Sequence, residues 1–392
     1  MVYSFDEFIP RENTDCVKYD LRKQLFGSED VIPMWVADMD FKTPDFIVDA
    51  MKARMDHPIF GYPVKPEAYF TSQVKWLMKK HHWEVQPEWI QFCQGVVPAL
   101  NLILLAFTEP GDKIIVQPPV YFPFFSAIKN NQREQVDNPL IYKNGRYSFD
   151  FDDLEKKIDA KTRILFLCHP HNPGGRLWSI DELTKLAGIC IKHDMLIVSD
   201  EIHSDLVLPG FNHVPMASIS DEIADHTITC IAPSKTFNIA GLGTSSVIIS
   251  NSGHRRKFHN MVERIHIGMG NIFGITASIA AYTFGETWLR EVMGYIQGNV
   301  DLVVEFCRSR IPDIKPMVPE ATYLVWLDCR NLGLNNQELK RFMIERVNVG
   351  FNDGPTFGAG GEGFQRMNVG CPRSVVREAL ERMEKAIVEL TG

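Results

Sequence analysis

A lysine and a carboxylate follow two separate apolar runs of the sequence, and together they could do chemistry. Lys235 comes just after the apolar run 229–232, where Pro233 interrupts the strand pattern. Asp200 ends the apolar run 195–200, where an unpaired buried carboxylate would be costly, so it should have a cationic or donor partner. Burial lowers the pKa of a lysine toward the range where the free amine exists, which makes Lys235 a candidate nucleophile. Ser234-Lys235 alone would instead be typical of an exposed turn.

A third stretch adds a candidate anion site. Residues 89–94 predict a short strand, and an apolar helix follows from Gly95, Val96 and Val97. The first turn of a helix offers free N–H groups and the positive end of the helix dipole, so an anion can bind there. A cofactor with a pyridinium nitrogen, an aldehyde and a phosphate would satisfy Asp200, Lys235 and this helix start together.

The elements that must position these residues alternate between strand and helix. Near-continuous apolar runs predict strands at residues 113–117, 163–168 and 195–200. Such runs are typical of parallel strands covered on both faces, so the sequence predicts an α/β fold. Tyr121, Asn172, Asp200 and Lys235 lie at or just past the carboxyl ends of strands, the edge at which open α/β sheets bind ligands.

Residues after 285 change in character. A long helix at 288–310, short strands, a glycine-rich loop at 354–363 and a closing helix at 374–390 predict a smaller α+β domain. We therefore predict a large domain at 46–287 and a small domain built from 1–45 and 288–392. The aromatic segment 31–41 is either an arm that packs on the body or one wall of a pocket.

Composition limits the function classes. The 392 residues carry a net charge of −8 without a basic cluster, which argues against a nucleic-acid partner. The N-terminus lacks the pattern of a signal peptide, and the run 271–285 is too short and too polar for a membrane span. Eight scattered cysteines without metal-ligand spacing predict reduced thiols, no metal site and a cytoplasmic location.

Several motifs together carry a family resemblance. They are Pro33-Met34-Trp35-Val36-Ala37-Asp38-Met39-Asp40-Phe41, Phe60-Gly61-Tyr62, Pro119-Val120-Tyr121, Pro170-His171-Asn172-Pro173, Ser199-Asp200-Glu201-Ile202-His203, Pro233-Ser234-Lys235-Thr236-Phe237-Asn238 and Arg366-Met367-Asn368-Val369-Gly370. The chain resembles fold-type I pyridoxal 5′-phosphate (PLP) enzymes of the class I/II aminotransferase-like group. Within that group it is similar to the MalY/PatB-type cystathionine β-lyases, or C–S lyases. The resemblance implies a three-layer, aspartate aminotransferase-like PLP-transferase fold with a mostly parallel mixed sheet.

The resemblance also implies roles for particular residues. The catalytic residues would be Lys235, which would bond to the cofactor and then move the Cα proton, Asp200 at the ring nitrogen and Tyr121 stacked on the ring. Other cofactor contacts would come from Asn172, His203, Ser234, Gly95, Val96, Val97 and, from a neighbouring subunit of a homodimer, Tyr62. Arg366 would bind the substrate α-carboxylate together with Asn172, and Trp35 and Tyr323 are candidate walls of the substrate pocket.

The implied reaction is α,β-elimination. L-Cystathionine or a related cysteine S-conjugate would give a thiol, pyruvate and ammonia, a step of sulfur amino-acid metabolism. Ala232 stands where aminotransferases often have a phosphate-binding hydroxyl, and no arginine follows shortly after Lys235, so both features favour the lyases. His169 and Gly174 also depart from the family pattern. The alternatives are an aminotransferase that acts on an L-amino acid and a 2-oxo acid, and a PLP-binding regulatory protein.

Overall fold

The computed structural model describes residues 3–391, so the predictions that include residues 1, 2 and 392 lie partly outside the described residues. The described strands are β1 Ile32–Pro33, β2 Ile90–Cys93, β3 Lys113–Val116, β4 Glu134–Asp137, β5 Ile141–Lys143, β6 Arg146–Ser148, β7 Thr162–Cys168, β8 Leu196–Asp200, β9 Thr227–Ile231, β10 Ser245–Ile248, β11 Lys315–Met317, β12 Leu324–Asp328, β13 Val349–Gly350, β14 Asn352–Asp353 and β15 Phe364–Asn368. The described α-helices are α1 Val17–Asp20, α2 Arg22–Phe26, α3 Asp45–Met55, α4 Glu67–His81, α5 Val96–Phe107, α6 Pro123–Asn130, α7 Phe151–Lys157, α8 Ile180–Lys192, α9 Asp221–Asp225, α10 Pro233–Thr236, α11 Ser252–Arg264, α12 Ile272–Phe284, α13 Glu286–Arg310, α14 Asn336–Glu345 and α15 Arg373–Thr391.

A mixed sheet of seven strands forms the centre of the fold, in the order β2-β10-β9-β8-β7-β3-β4. Neighbours from β4 to β9 pair in parallel, whereas β10 is antiparallel to both β9 and β2. Only β10 is therefore reversed, and β2, β3, β7, β8 and β9 all end at one edge. The prediction of an α/β fold with a mostly parallel mixed sheet is confirmed.

A second, antiparallel sheet has the order β11-β12-β15-β14. Its central pair joins β12 to β15 with Trp326 opposite Arg366. The N-terminal part of the chain reaches this region through β1, which pairs in parallel with β13. Segments more than 300 residues apart are thus held side by side.

The largest hydrophobic cluster does not separate the two predicted domains. It contains Phe5 and Met39 from the N-terminal region and much of α13 and α15, but also Trp76 and Phe237 from the predicted large domain. Two further clusters cover the two faces of the seven-stranded sheet, as its apolar strands require. The domain boundaries at 45/46 and 287/288 stay a prediction.

Most predicted elements are present, with ends shifted by at most two residues, but some differ. Lys235 lies in the one-turn helix α10, not in a loop. Arg366 is the third residue of β15. Strand β4 and the β5–β6 hairpin were not among the predictions. The segment 271–285 forms the buried helix α12, and within residues 3–391 no helix is long and apolar enough to cross a membrane.

Candidate active site

A cavity of about 250 Å³ opens at the edge where the parallel strands end. Nine of the predicted site residues line it, namely Gly95, Val96, Val97, Tyr121, Asn172, Asp200, His203, Ser234 and Lys235. Asp200 is the last residue of β8, and each of the others follows β2, β3, β7, β8 or β9. Their convergence follows from the shared strand direction, because parallel strands bring their carboxyl ends together.

Lys235 is held over this cavity by the first segment of the chain. Its Nζ donates a hydrogen bond of 2.6 Å to the carbonyl oxygen of Ala37, which also accepts from the hydroxyl of Tyr323 at 2.8 Å. Burial lowers the pKa of Lys235 to about 8, an effect opposed by the charge of Asp38. The free amine is therefore accessible near neutral pH.

Asp200 is a buried carboxylate that accepts a hydrogen bond from the N–H of Ile202 at 3.2 Å. Burial raises the pKa of Asp200 to about 7, although that N–H and the charge of Lys235 favour the carboxylate. A cationic donor next to this oxygen pair would stabilise the ionised form. Tyr121, in the same cavity, has its pKa raised to about 12 by burial and by the charge of Asp200, so it keeps its proton.

The anion-binding end of the cavity is the start of α5. Gly95 is the N-cap residue, and no side chain caps the helix. The N–H groups of Val96 and Val97 therefore lack the partners that interior helix residues have, and Pro98 has no N–H. Ser234 adds a hydroxyl on the same cavity wall. This donor set fits a phosphate monoester.

Arg366 lies beside Asn172 at the substrate end of the site. Its guanidinium donates to Asn172 Oδ1 at 2.9 Å and to the carbonyl oxygen of Trp35 at 2.8 Å, and it also bonds to Asn352. It stacks 5.1 Å from the ring centre of Phe357. Among the described residues its buried Nε has no partner, so this N–H is unsatisfied within the protein. Burial lowers the pKa of Arg366 to about 10, so it remains a cation at neutral pH.

The segment 35–40 is a wall of the site rather than only an arm. Asn368, two residues after Arg366 on β15, donates to the carbonyl oxygens of Val36 and Asp38. Residues i and i+2 of a strand share a face, so Arg366 and Asn368 both hold this segment. Asp38 is in turn held by ion pairs to Arg11 at 2.7 Å and to the buried Lys18 at 3.6 Å.

Four predicted residues occupy positions that their motifs did not specify. The indole of Trp35 packs on Phe26 and donates to the carbonyl oxygen of Lys18, so its backbone, not its ring, contacts Arg366. Tyr323 is buried and bonds to Ala37. His203 is buried, its Nδ1 has no partner within residues 3–391, and burial lowers its pKa to about 3. Tyr62 is 92% exposed and lies outside this cavity.

Sequence reasoning missed several residues that complete the site. Ala37 contributes only a backbone carbonyl, and since every residue has one, the residue type could not predict this role. Asn352 directly precedes Asp353 and the glycine-rich loop, a position that gave no signal. Asn368 follows Arg366 at strand spacing, and this spacing could have predicted that the two side chains share a face. In the part of the chain that the structure describes, no group of His, Cys, Asp and Glu could hold a metal ion.

Comparisons with known proteins agree with this architecture. Residues 29–383 match the family model described as aminotransferase class I and II. The chain is 45% identical to the cystathionine beta-lyase PatB of Bacillus subtilis (strain 168), over 98% of this chain and 100% of the relative. The crystal structure of cystalysin from Treponema denticola, which contains a PLP cofactor, has 40% identity and a TM-score of 0.97 over 100% of both chains. The PLP-bound C–S lyase from Staphylococcus hominis has 33% identity and a TM-score of 0.93 over 99% of both chains.

Proposed function

The chain belongs to the aminotransferase class I and II family, and we propose that it is a PLP-dependent carbon–sulfur β-lyase. Its substrate would be L-cystathionine or a related cysteine S-conjugate. The Cβ–S bond breaks, one water is consumed, and a thiol, pyruvate and ammonia are released. The supporting observation is that the Lys235 amine and the Asp200 carboxylate line one cavity together with Asn172, which is hydrogen-bonded to Arg366.

The residues of the cavity fit PLP. The uncapped start of α5 and Ser234 would hold the phosphate, and Asp200 would hold the ring nitrogen with its proton. Asn172 and His203 would bond to polar ring substituents, and Tyr121 would cover a ring face. Burial raises the pKa of Asp200, and no cationic side chain of the described residues is bonded to its oxygens; a pyridinium would be such a partner.

The mechanism uses the protein groups in separate roles. PLP, when bound, supplies an aldehyde for the amino group and a ring that accepts the electrons of the broken Cα–H bond. Arg366 binds the α-carboxylate and orients the Cα–H bond. The Lys235 amine takes up the Cα proton, and burial lowers its pKa to about 8, so that a fraction of it is unprotonated at neutral pH. The hydrogen bond from Nζ to the carbonyl oxygen of Ala37 helps to fix the orientation of the Lys235 side chain.

The decisive experiment offers L-cystathionine as the only substrate. A lyase releases pyruvate and thiol in equal amounts with no 2-oxo acid present, and adding a 2-oxo acid does not raise the rate. An aminotransferase, which is the alternative on the same site, would release neither product catalytically without that acceptor. If the release of pyruvate and thiol required a 2-oxo acid, this result would contradict the proposal. A panel of cysteine S-conjugates in the same assay then ranks the leaving groups.

The low pKa of Lys235 leads to a pH prediction. Below about pH 8 the amine carries a proton and cannot attack an aldehyde, and above it the free amine can. The rate at which apoenzyme bonds covalently to PLP should therefore rise with pH and level off above about 8. Borohydride trapping followed by peptide mass spectrometry measures this rate. Free N-acetyl-lysine is the control and should level off about two pH units higher, because its pKa is about 10.4. An enzyme profile that matches the control would contradict the prediction.

We also propose a homodimer in which Tyr62 completes the neighbouring site. Tyr62 is 92% exposed, and Ile59, Phe60 and Val64 beside it are exposed as well. Such an apolar stretch is typical of an interface.

The eight cysteines are all free thiols, which supports a cytoplasmic location.

The dimer proposal predicts complementation between two inactive variants. Tyr62→Ala and Lys235→Ala subunits should each be weakly active or inactive alone, but a mixed dimer contains one site with both native residues. After refolding an equimolar mixture, about a quarter of wild-type activity should return, because half of the dimers carry one intact site of two. Phe211→Ala, which removes another exposed aromatic ring, is the control and should be fully active. A mixture no more active than the average of its parts would contradict a shared site.

A further inference from the structure

The short helix that carries Lys235 is tied to a buried carboxylate outside the cavity. Thr236, the residue after Lys235, is fully buried in α10 and its hydroxyl donates to Asp205 Oδ2 at 3.1 Å. Helix α10 has only four residues and no side-chain cap. So short a helix has little stability of its own, and outside contacts must therefore fix its position.

The other oxygen of Asp205 is bound to a different helix. Asp205 Oδ1 lies 2.9 Å from the Trp76 Nε1 donor and 3.0 Å from His81 Nε2, both on α4. An ionised carboxylate only accepts, so both nitrogens donate to it. Burial alone would raise the pKa of Asp205, but the hydrogen bonds from His81, Trp76 and Thr236 help to lower it overall, so Asp205 is ionised. The carboxylate therefore joins the large helix α4 to the turn of Lys235.

Asp205 also lies on the turn that leaves β8 at Asp200. The N–H of Ser204 bonds to the carbonyl of Glu201, and the N–H of Leu206 bonds to that of His203. One compact turn thus presents Asp200 and His203 to the cavity, while Asp205 bonds to α4 and α10. The positions of Asp200 and Lys235 relative to each other are therefore coupled through Asp205.

We propose that Asp205, acting through the hydroxyl of Thr236, is a positioning residue for Lys235. The proposal rests on the proposed function, in which Lys235 bonds to PLP and moves the Cα proton. Asp205 does not line the cavity and does not touch the reacting atoms. Its effect should therefore appear in the rates of the lysine steps and not in substrate affinity.

The test compares Thr236→Val with Thr236→Ser and with a matched control. Valine keeps the shape but removes the bond to Asp205, and serine keeps the hydroxyl. Thr229→Val is the control, because Thr229 is also fully buried, on β9, but its hydroxyl has no partner among the described residues. Loss of one hydrogen bond predicts a roughly three- to tenfold lower kcat for Thr236→Val, with KM within about twofold. Thr236→Ser and Thr229→Val should keep the wild-type kcat.

The rate of borohydride-trapped attachment of PLP to Lys235 is the second readout and requires no substrate. It should fall for Thr236→Val by about the same factor as kcat, and it remains measurable even if the chain has no lyase activity. Asp205→Asn keeps the shape of the side chain but loses its charge, and it should slow the attachment of PLP as well. This second variant tests the proposal even if Thr236→Val does not fold. The proposal is overturned if the folded variants attach PLP as fast as Thr229→Val, or if Thr236→Ser is as slow as Thr236→Val.

Discussion

Replacement of Lys235 by alanine is expected to reduce pyruvate release from L-cystathionine by about 10⁴-fold or more, while PLP still binds without a covalent bond. Removal of a positioned acid–base group alone costs roughly 10² to 10⁴ in rate, and Lys235 has a second role as the amine that bonds to the cofactor. No other lysine lines the cavity in the part of the chain that the structure describes.

Two measurements check the Lys235 prediction. Pyruvate release gives the rate, and borohydride reduction followed by mass spectrometry shows whether the cofactor is attached to the chain. Lys113→Ala is a suitable control, because Lys113 begins β3 at the opposite edge of the sheet and pairs there with Asp159. It should keep full activity and full attachment. If cofactor were trapped at normal yield in Lys235→Ala, another amine would be the one that bonds to PLP, and the prediction would be wrong.

Arg366→Ala is expected to lower kcat/KM for the amino-acid substrate roughly ten- to a hundredfold, since a lost charge-assisted hydrogen bond costs about 1.5–3 kcal/mol. The guanidinium is buried and already bonded to Asn172, Trp35 and Asn352, so its orientation is set before substrate arrives. Arg366→Lys should recover little of the loss. An ammonium has three donors, all of which the three acceptors would use, and it lacks the planar fork that suits a carboxylate.

The Arg366 prediction separates substrate binding from cofactor binding. Steady-state kinetics measure kcat/KM, and PLP should still bind, because Arg366 does not line the cofactor cavity. Arg330→Ala is the control, since Arg330 is exposed, follows β12 and pairs with Asp328 two residues earlier. Loss of PLP from folded Arg366→Ala, or an unchanged kcat/KM, would contradict the assignment of Arg366 to the carboxylate.

Much of the architecture was predictable because it is encoded locally. The apolar runs that became β3, β7 and β8 are visible in the sequence, and their parallel direction follows from the helices between them. Lys235, Asp200, Asn172 and Tyr121 each sit at a fixed offset from a strand end, so their convergence could be deduced from topology alone. The family resemblance extended these deductions to Arg366, whose motif is distant from the others in sequence.

What only the tertiary structure decided is how segments far apart in the chain meet. Trp35 and Arg366 are 331 positions apart, and Ala37 and Lys235 are 198 apart, yet each pair is within hydrogen-bonding distance. No local pattern specifies that the carbonyl of Ala37 faces an amine, or that the ring of Trp35 turns toward Phe26. Residue order determined the elements and the edge at which the chemistry lies, because side-chain periodicity acts over a few residues. The partners of each polar group depended on how sheets and helices pack, and packing is a property of the whole chain.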